Sequence, residues 1–299
     1  MDTILLTATL GATFDKVFYN FDMWVYQIFG LIQCDFLTEF SKFITSFGDF
    51  EFAICMIVLG LILCFFKKSR KYGFALVFSV LLGTLFTNVI LKTAVLRIRP
   101  YNTLQHVSEY WNWYVGAGML AESDYSFPSG HTTVAFEIAT SMLLCFKADK
   151  KKGAWIFPVI AIGVMGSRIY LMVHYPTDVI AGMISGIVAG LLAYVIANAI
   201  TNAFVKSGKD DKLDLENLYR KLFKKDINTK VASVIIAAFC AFAFIYSYSA
   251  LIGEIKSDAP RCAYNDEYDC QNYAKLDDEK YPAIDGERYC KIHHKQLTQ

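Results

Sequence analysis

Charge is scarce in this chain. Asp, Glu, Lys and Arg make up 19% of the 299 residues, against roughly 25% in an ordinary soluble domain, while 55% are hydrophobic. The two signs nearly cancel, to a net charge of +1, which argues against nucleic acid as a partner. The opening stretch MDTILLTATLGATFDK lacks the basic start of a secretory leader.

Apolar runs are abundant. They cover roughly residues 50–66, 73–92, 129–147, 153–172, 179–205 and 229–252. Most approach the ~20 residues that a helix needs to cross a bilayer. Lipid leaves open backbone groups unsatisfied, so all should be helical. The expected fold class is therefore all-α: a polytopic membrane helical bundle of about six transmembrane helices. Residues 1–49 differ. Phe14, Val17, Phe18, Phe21, Val25, Ile28 and Ile32 recur at helical spacing among polar residues, as do Phe36, Phe40, Phe43 and Phe47. They are read as N-terminal interfacial helices, with a further span inside residues 1–30 left open.

The sequence thus divides into amphipathic helices (1–49), a membrane core (50–205), a loop (206–228), an extra C-terminal transmembrane helix (229–252) and a polar tail (253–299). Lys67, Lys68, Arg70 and Lys71 crowd one loop and Lys147, Lys150, Lys151 and Lys152 another, and the segment from Lys206 to Lys230 is also Lys-rich. The positive-inside rule places all three in the cytoplasm, and the alternate loops and the tail outside. In that tail one cysteine pair, Cys262 with Cys270, is expected to form a disulfide, leaving one thiol over. Cys290 with His293 and His294 hints at metal, but the spacing is loose.

The informative residues are ionisable groups beside apolar helices, which lipid has no use for. Lys92, Arg97 and Arg99 follow one run, Ser129, Gly130 and His131 open another, and Ser167, Arg168, His174 and Asp178 close a third. All lie on the outward side. Any single cation there could snorkel to the interface. Arg168 sits inside an apolar segment and needs an anionic partner. Pro128 and Ser129 suit a helix start, where free amides also bind anions. Pro176 should place Asp178 near a helix N-terminus, within reach of the His174 imidazole. Glu137, mid-helix, is expected to pair with a cation or with Asn88.

Together these stretches spell K-x6-R-P, P-S-G-H and S-R-x5-H-x3-D, with no departure at any position. Over residues 45–205 the chain resembles the phosphatidic acid phosphatase type 2 family, whose tripartite signature has this form. Phosphoryl transfer depends on positioning and charge neutralisation. Lys92, Arg99 and Arg168 suit that task, with Ser129 and the amides at Gly130 as neutral donors. The resemblance implies that His174 is the nucleophile, forming a phosphohistidine. Asp178 would orient it, and His131 would protonate the leaving group and then activate water. Arg97 is outside the signature and is expected to snorkel.

No metal-ligand cluster accompanies the signature, so neither a metal nor another cofactor is implied for the chemistry. An outward site at the bilayer meets lipid phosphates first, so the expected substrate is phosphatidate, phosphatidylglycerol phosphate or an isoprenoid diphosphate. Trp111, Trp113 and Tyr114 would form a lip for the headgroup or an interfacial anchor. Other readings are a membrane transporter or lipid-binding protein with a phosphate site, a lipid phosphotransferase, or a vanadium haloperoxidase, although that class is soluble. Oligomeric state is left open.

Overall fold

Every long apolar run forms a helix. The protein is represented by a computed structural model, which describes residues 9–208, 214–256, 261–265, 269–274 and 280–298. The first residues of the leader reading, and parts of the 206–228 loop and the tail, lie outside the described residues. The helices are α1 (Leu10–Leu31), α2 (Asp35–Thr45), α3 (Phe50–Cys64), α4 (Arg70–Thr84), α5 (Lys92–Val95), α6 (Pro100–Thr103) and α7 (Ser108–Gly116). They continue as α8 (Gly130–Ala148), α9 (Ile156–Tyr170), α10 (Pro176–Lys206), α11 (Leu215–Phe223), α12 (Thr229–Lys256) and α13 (Lys291–Leu297). A π-helical stretch, Leu85–Leu91, joins α4 to α5.

The sequence predicts six crossings. Among the described residues, four helical stretches are long and apolar enough to cross a membrane: Asp35–Cys64, Arg70–Thr103, Pro176–Lys206 and Thr229–Gly253. The apolar α9, of 15 residues, and α8, of 19, pack against each other. Large apolar side chains such as Leu61, Leu81, Val159, Val195, Ile235 and Phe242 face outward, as lipid-facing positions do.

The central packing is α10 against α8 and α4. Gly182, Gly186 and Gly190 lie one turn apart, and a Cβ on each would stand 2.6 Å from the carbonyl oxygens of Ser129, Thr133 and Glu137 respectively. Only hydrogen there lets the two backbones approach so closely, as small residues do between membrane helices. The contact sets the first turn of α8 beside the first turn of α10. Ser129 N–H donates to the Asp178 carbonyl at 3.1 Å.

At one end of the bundle the basic loops gather. Lys71 and Tyr72 bond Asp149, Arg70 lies over Phe204, and Leu215 N–H donates to the Phe65 carbonyl at 3.0 Å. The signature residues gather at the other end. A tyrosine-rich cluster there holds Tyr26, Tyr101, Tyr110, Tyr114 and Tyr175 together with Leu251, near the end of α12. The α7 aromatics turn inward instead of forming an exposed lip. Tyr114 is buried and stacks on Tyr101 at 5.0 Å, and the Trp113 ring lies against Gly30.

The two N-terminal helices are amphipathic in the inverse sense. On α2, Thr38, Ser41 and Thr45 are buried while Phe36, Phe40 and Phe43 are exposed. On α1, Asp22 is buried while Val17, Phe21 and Trp24 are exposed. On α2 the small polar face therefore points into the protein, and α1 turns Asp22 inward beside Tyr26 while Lys16, Asn20 and Gln27 stay exposed. Glu137 corrects another expectation. Both of its carboxylate oxygens are buried without a hydrogen-bond partner, pressed against Gly83, and Asn88 faces outward.

Candidate active site

The turn between α9 and α10 carries His174 and is held by its own carbonyls. Tyr110 Oη donates to Met172 O at 2.6 Å, Arg99 Nη1 to Val173 O at 2.9 Å and Tyr26 Oη to His174 O at 2.8 Å. Residues 171–174 are fully buried as a result. α9 ends at Tyr170, before Pro176, and Pro176 opens α10 with Asp178 in its first turn, where the carboxylate accepts the Tyr175 N–H at 3.1 Å.

The His174 imidazole lies between a cation and an anion. Its Nε2 is 3.1 Å from Arg99 Nη1, and its Nδ1 is 3.5 Å from Ser126 Oγ and 3.7 Å from Asp178 Oδ2. A guanidinium can only donate, so Nε2 is the lone-pair nitrogen and Nδ1 carries the proton on the Asp178 side. Burial pushes the imidazole pKa down, with Arg99 adding to it, to about 3. The neutral ring is therefore the resting form at neutral pH. Asp178 stands at ion-pair distance from it, and Ser126 bonds the same carboxylate oxygen.

Arg99 is one of three cations gathered at this end, with Lys92 and Arg168. Lys92 pairs with Asp124, Arg99 with Glu122 and Asp124, and Arg168 with Glu122, which is the anionic partner that Arg168 requires. Arg168 also donates to Thr45 Oγ1 at 2.9 Å, while its buried Nε has no partner. Burial pushes the Glu122 carboxyl pKa up, but Arg99 and Arg168 outweigh it and hold that carboxyl well below its usual range. Lys92 and Arg99 do the same for Asp124. Both carboxylates come from the loop 117–128, and both stay ionised among the cations.

His131, in the first turn of α8, faces Asp49 through Nε2 and lies 4.0 Å from Glu122 through Nδ1. Ser129 is the N-cap residue of α8, but its side chain makes no cap bond there. Its hydroxyl instead accepts from Thr132 at 3.0 Å. A Cβ on Gly130 would lie 3.9 Å from Lys92 Nζ. Lys92, Arg99, Ser129, Gly130, His131, Arg168, His174 and Asp178 therefore converge on one end of the bundle.

Arg97 does not snorkel. It is fully buried, pairs with Asp15 at 2.8 Å, Asp22 at 2.9 Å and Asp178 at 2.6 Å, and stacks over Tyr175 at 3.6 Å. Three carboxylates overcome the pull of the interface. Sequence reasoning also missed Asp49, Glu122, Asp124 and Ser126. Ser126 stands just before the P-S-G-H stretch, and Asp49 begins α3, but no local pattern assigns either a histidine partner. In the tail, the expected Cys262–Cys270 disulfide is absent. All eight cysteines are free, and Cys290 and His293 crowd the same place.

A PAP2 superfamily model matches residues 72–202, the stretch that holds all the signature positions. An undecaprenyl-diphosphatase from Sulfolobus acidocaldarius is 31% identical over 167 residues, covering 54% of this chain and 72% of the relative. Phosphatidylglycerophosphatase B from Bacillus subtilis is 33% identical over 162 residues, 51% of this chain and 71% of the relative. The crystal structure of a transmembrane PAP2 type phosphatidylglycerolphosphate phosphatase from Bacillus subtilis superposes with a TM-score of 0.50 at 27% identity, covering 64% of this chain and 92% of that one. Shared motif, shared helical frame and coverage of most of two relatives agree: the chain belongs to the PAP2 superfamily and is an integral-membrane phosphatase.

Proposed function

We propose that this phosphatase hydrolyses a phosphomonoester or diphosphate of a membrane lipid through a phosphohistidine on His174. One observation carries the reading. Lys92, Arg99 and Arg168, from three separate elements, converge on two carboxylates beside a neutral imidazole. Glu122 and Asp124 stand where a phosphoryl group would sit. A phosphate dianion exchanges with them, takes the forks of Arg99 and Arg168, and satisfies the orphaned Arg168 Nε. The Ser129 hydroxyl, already accepting from Thr132, directs its own proton to the same ligand.

The step then follows from the tautomer. His174 Nε2 attacks the terminal phosphorus, the bond from that phosphorus to the lipid oxygen of a monoester or the bridging oxygen of a diphosphate breaks, and the leaving oxygen takes a proton from His131, which Asp49 holds in place. Asp178 balances the charge that His174 acquires. His131, now neutral, takes a proton from water. The water oxygen attacks phosphorus, the P–N bond breaks, and inorganic phosphate leaves with His174 neutral again. Each step uses side chains of this chain, with the developing charge met by the fixed cations.

The lipid class is supported by the site's position at the bundle end opposite the basic loops. The positive-inside rule makes that end the outward one, which supports an active site on the extracytoplasmic face of a cell membrane. An apolar cavity of about 490 Å³ lies among α3, α4, α8, α9 and α12, lined from Phe47, beside Gly48 which packs on the His131 backbone, to Tyr72 and Lys151 at the end of the basic loops. It offers room for an apolar chain near the leaving oxygen. The names of the relatives fit an isoprenoid diphosphate or phosphatidylglycerol phosphate.

The test is a short incubation of detergent-solubilised protein with a panel of radiolabelled lipid phosphates, followed by mapping of acid-labile phosphoenzyme. Label on His174, accumulating in His131→Ala with an activated aryl phosphate and lost in His174→Ala, is expected. Asp178→Asn should slow phosphorylation by orders of magnitude. Full turnover in His174→Ala, or label on another residue, would overturn the mechanism.

A further inference from the structure

The tail after α12 is too small to hold itself together by apolar burial. Its own buried apolar side chains are few: the described cluster is Cys262, Cys270, Cys290 and Ile292, with Tyr264 and Tyr289 beside it and Tyr125 contributed by the active-site loop. Segments of this size ordinarily need disulfides or a metal.

The donor atoms of Cys262, Cys270, Cys290 and His293 all lie within 4.8 Å of one another, and all four residues are buried. His293 Nδ1 is 3.3 Å from Cys262 Sγ and 3.4 Å from Cys290 Sγ. A tetrahedral zinc with ordinary bond lengths would set that nitrogen and each sulfur about 3.6 Å apart. His294 is turned away, with Nε2 at 3.0 Å from the Pro282 carbonyl. It is not a fifth donor.

The surroundings suit thiolates. The Cys290 N–H donates to Cys262 Sγ at 3.2 Å, and Asn272 Nδ2 to Cys290 Sγ at 3.5 Å. The Tyr264 ring stacks on His293 at 3.9 Å, fixing the plane of the imidazole. Such outer contacts orient ligands and stabilise sulfur charge. A disulfide would use two sulfurs and leave a thiol and an imidazole buried beside it. One metal ion uses all four donors.

We propose that Cys262, Cys270, Cys290 and His293 form a structural Zn²⁺ site that folds the tail. Three thiols lose their protons to solvent, the imidazole stays neutral, and the filled site carries a net charge of −1. Three sulfurs and one nitrogen fill a closed tetrahedral shell, and that donor set selects zinc over harder ions. The site also reaches the phosphatase centre. Asn272, which bonds the Cys290 sulfur, places its Oδ1 2.9 Å from Tyr101 Oη, and that oxygen accepts the Glu122 N–H at 3.0 Å. Gln271 N–H bonds Asn102 Oδ1 at 2.9 Å, and Arg261 reaches the Met119 carbonyl at 3.2 Å. The metal thereby clamps the tail onto the loop that bears Glu122 and Asp124.

The full chain, purified in detergent without chelator and with its tag removed, should contain about one zinc per chain by mass spectrometry of metals. Cys262→Ser and Cys290→Ser should lose at least ten-fold of that zinc. His293→Cys should keep it, and His294→Ala should keep it too. Cobalt exchanged into the wild type should give the strong thiolate charge-transfer and visible bands of a tetrahedral sulfur-rich site, a readout that does not depend on any variant folding. A disulfide between any two of the three cysteines in unreduced protein would overturn the proposal. So would the absence of zinc and of cobalt bands after incubation with each metal, or loss of zinc in His294→Ala or His293→Cys.

Discussion

If Glu122 occupies the place of the substrate phosphate, neutralising it should tighten phosphate binding. Glu122→Gln keeps the size of the side chain and removes the charge that engages Arg99 and Arg168. In the wild type, an incoming phosphate must first take both guanidinium groups from that carboxylate, whose side chain is 22% exposed. Hydrogen bonds to charged groups are worth about 1.5–3 kcal/mol net, and the substitution removes that much competition. At 1.4 kcal/mol per factor of ten, the inhibition constants for inorganic phosphate and vanadate should fall about ten- to 150-fold, with KM falling in parallel. kcat should fall where phosphate release limits turnover. Inhibition titrations in detergent micelles measure all three.

The variant should also be less stable without ligand. The Glu122 carboxyl is held below its ordinary range in the folded protein. Its stabilising contribution is therefore complete above the unfolded pKa and is lost as pH falls toward the folded one. At neutral pH Glu122→Gln forgoes that contribution, and added phosphate should restore the melting temperature. Asp124→Asn, which frees Lys92 and one contact of Arg99, should act in the same direction. A folded Glu122→Gln protein with unchanged or weaker phosphate inhibition would refute the reasoning, because the carboxylate would then be assisting the site, not standing in for its ligand.

Other outcomes follow from the same geometry. Arg97→Leu leaves Asp15, Asp22 and Asp178 without their shared cation and should cost about 3–5 kcal/mol, read as a large drop in melting temperature; an unchanged melt would mean the network is not structural. With the His174 pKa at about 3, the folded imidazole stays neutral across the working range: its contribution to stability declines as pH falls from the ordinary histidine pKa of about 6.5 toward 3, whereas the supply of neutral imidazole falls only near 3. The acid limb of kcat/KM should therefore move with the second ionisation of each phosphate ester; a limb fixed near 6.5 for all substrates would contradict this. For sidedness, the exposed Ser108 and Lys150 lie at opposite ends of the bundle. Ser108→Cys should react with an impermeant maleimide in intact cells and Lys150→Cys only after lysis, and the reverse pattern would invert the topology.

What the sequence made legible is what neighbours along the chain determine. The six apolar runs carry their own period and length, and the helices begin and end within a few residues of where charge and proline interrupt them. The signature was legible for a similar reason. His174 and Asp178 flank one turn, and Ser129 to His131 share another, so their spacing is a local fact. Partners brought in from a distance were not legible. Asp49 meets His131 across 82 positions and Asp22 meets Arg97 across 75. In a one-dimensional reading both are polar residues on an amphipathic face, and nothing distinguishes an acid that faces water from one that faces a buried guanidinium. Arg97 was misplaced for that reason, because snorkelling is the default for a cation at a helix end until its partners are known.

The inverse amphipathicity of α1 and α2 connects these misses. A helix at a membrane surface would turn Thr38, Ser41, Thr45 and Asp22 toward water and its phenylalanines toward lipid. Here the polar side meets the bundle, and what it meets is the arginines. Thr45 takes a hydrogen bond from Arg168, and Asp15 and Asp22 take Arg97, all from outside the stretch 72–202 that carries the family pattern. Cations assembled to hold a dianion repel one another when the site is empty, and burial makes that repulsion costly. The chain meets the cost from two directions. The loop 117–128 offers carboxylates that a phosphate can displace, while α1 offers carboxylates that stay, fixed on an arginine that holds Asp178 and not the substrate. For the second histidine the carboxylate is Asp49, and α12 steadies it through Ser247, whose hydroxyl donates to Asp49 at 3.2 Å. On the proposed mechanism the reacting groups come from the superfamily motif, and the segments before it, with Asp15, Asp22 and Asp49, supply counter-charges that let those groups be buried together.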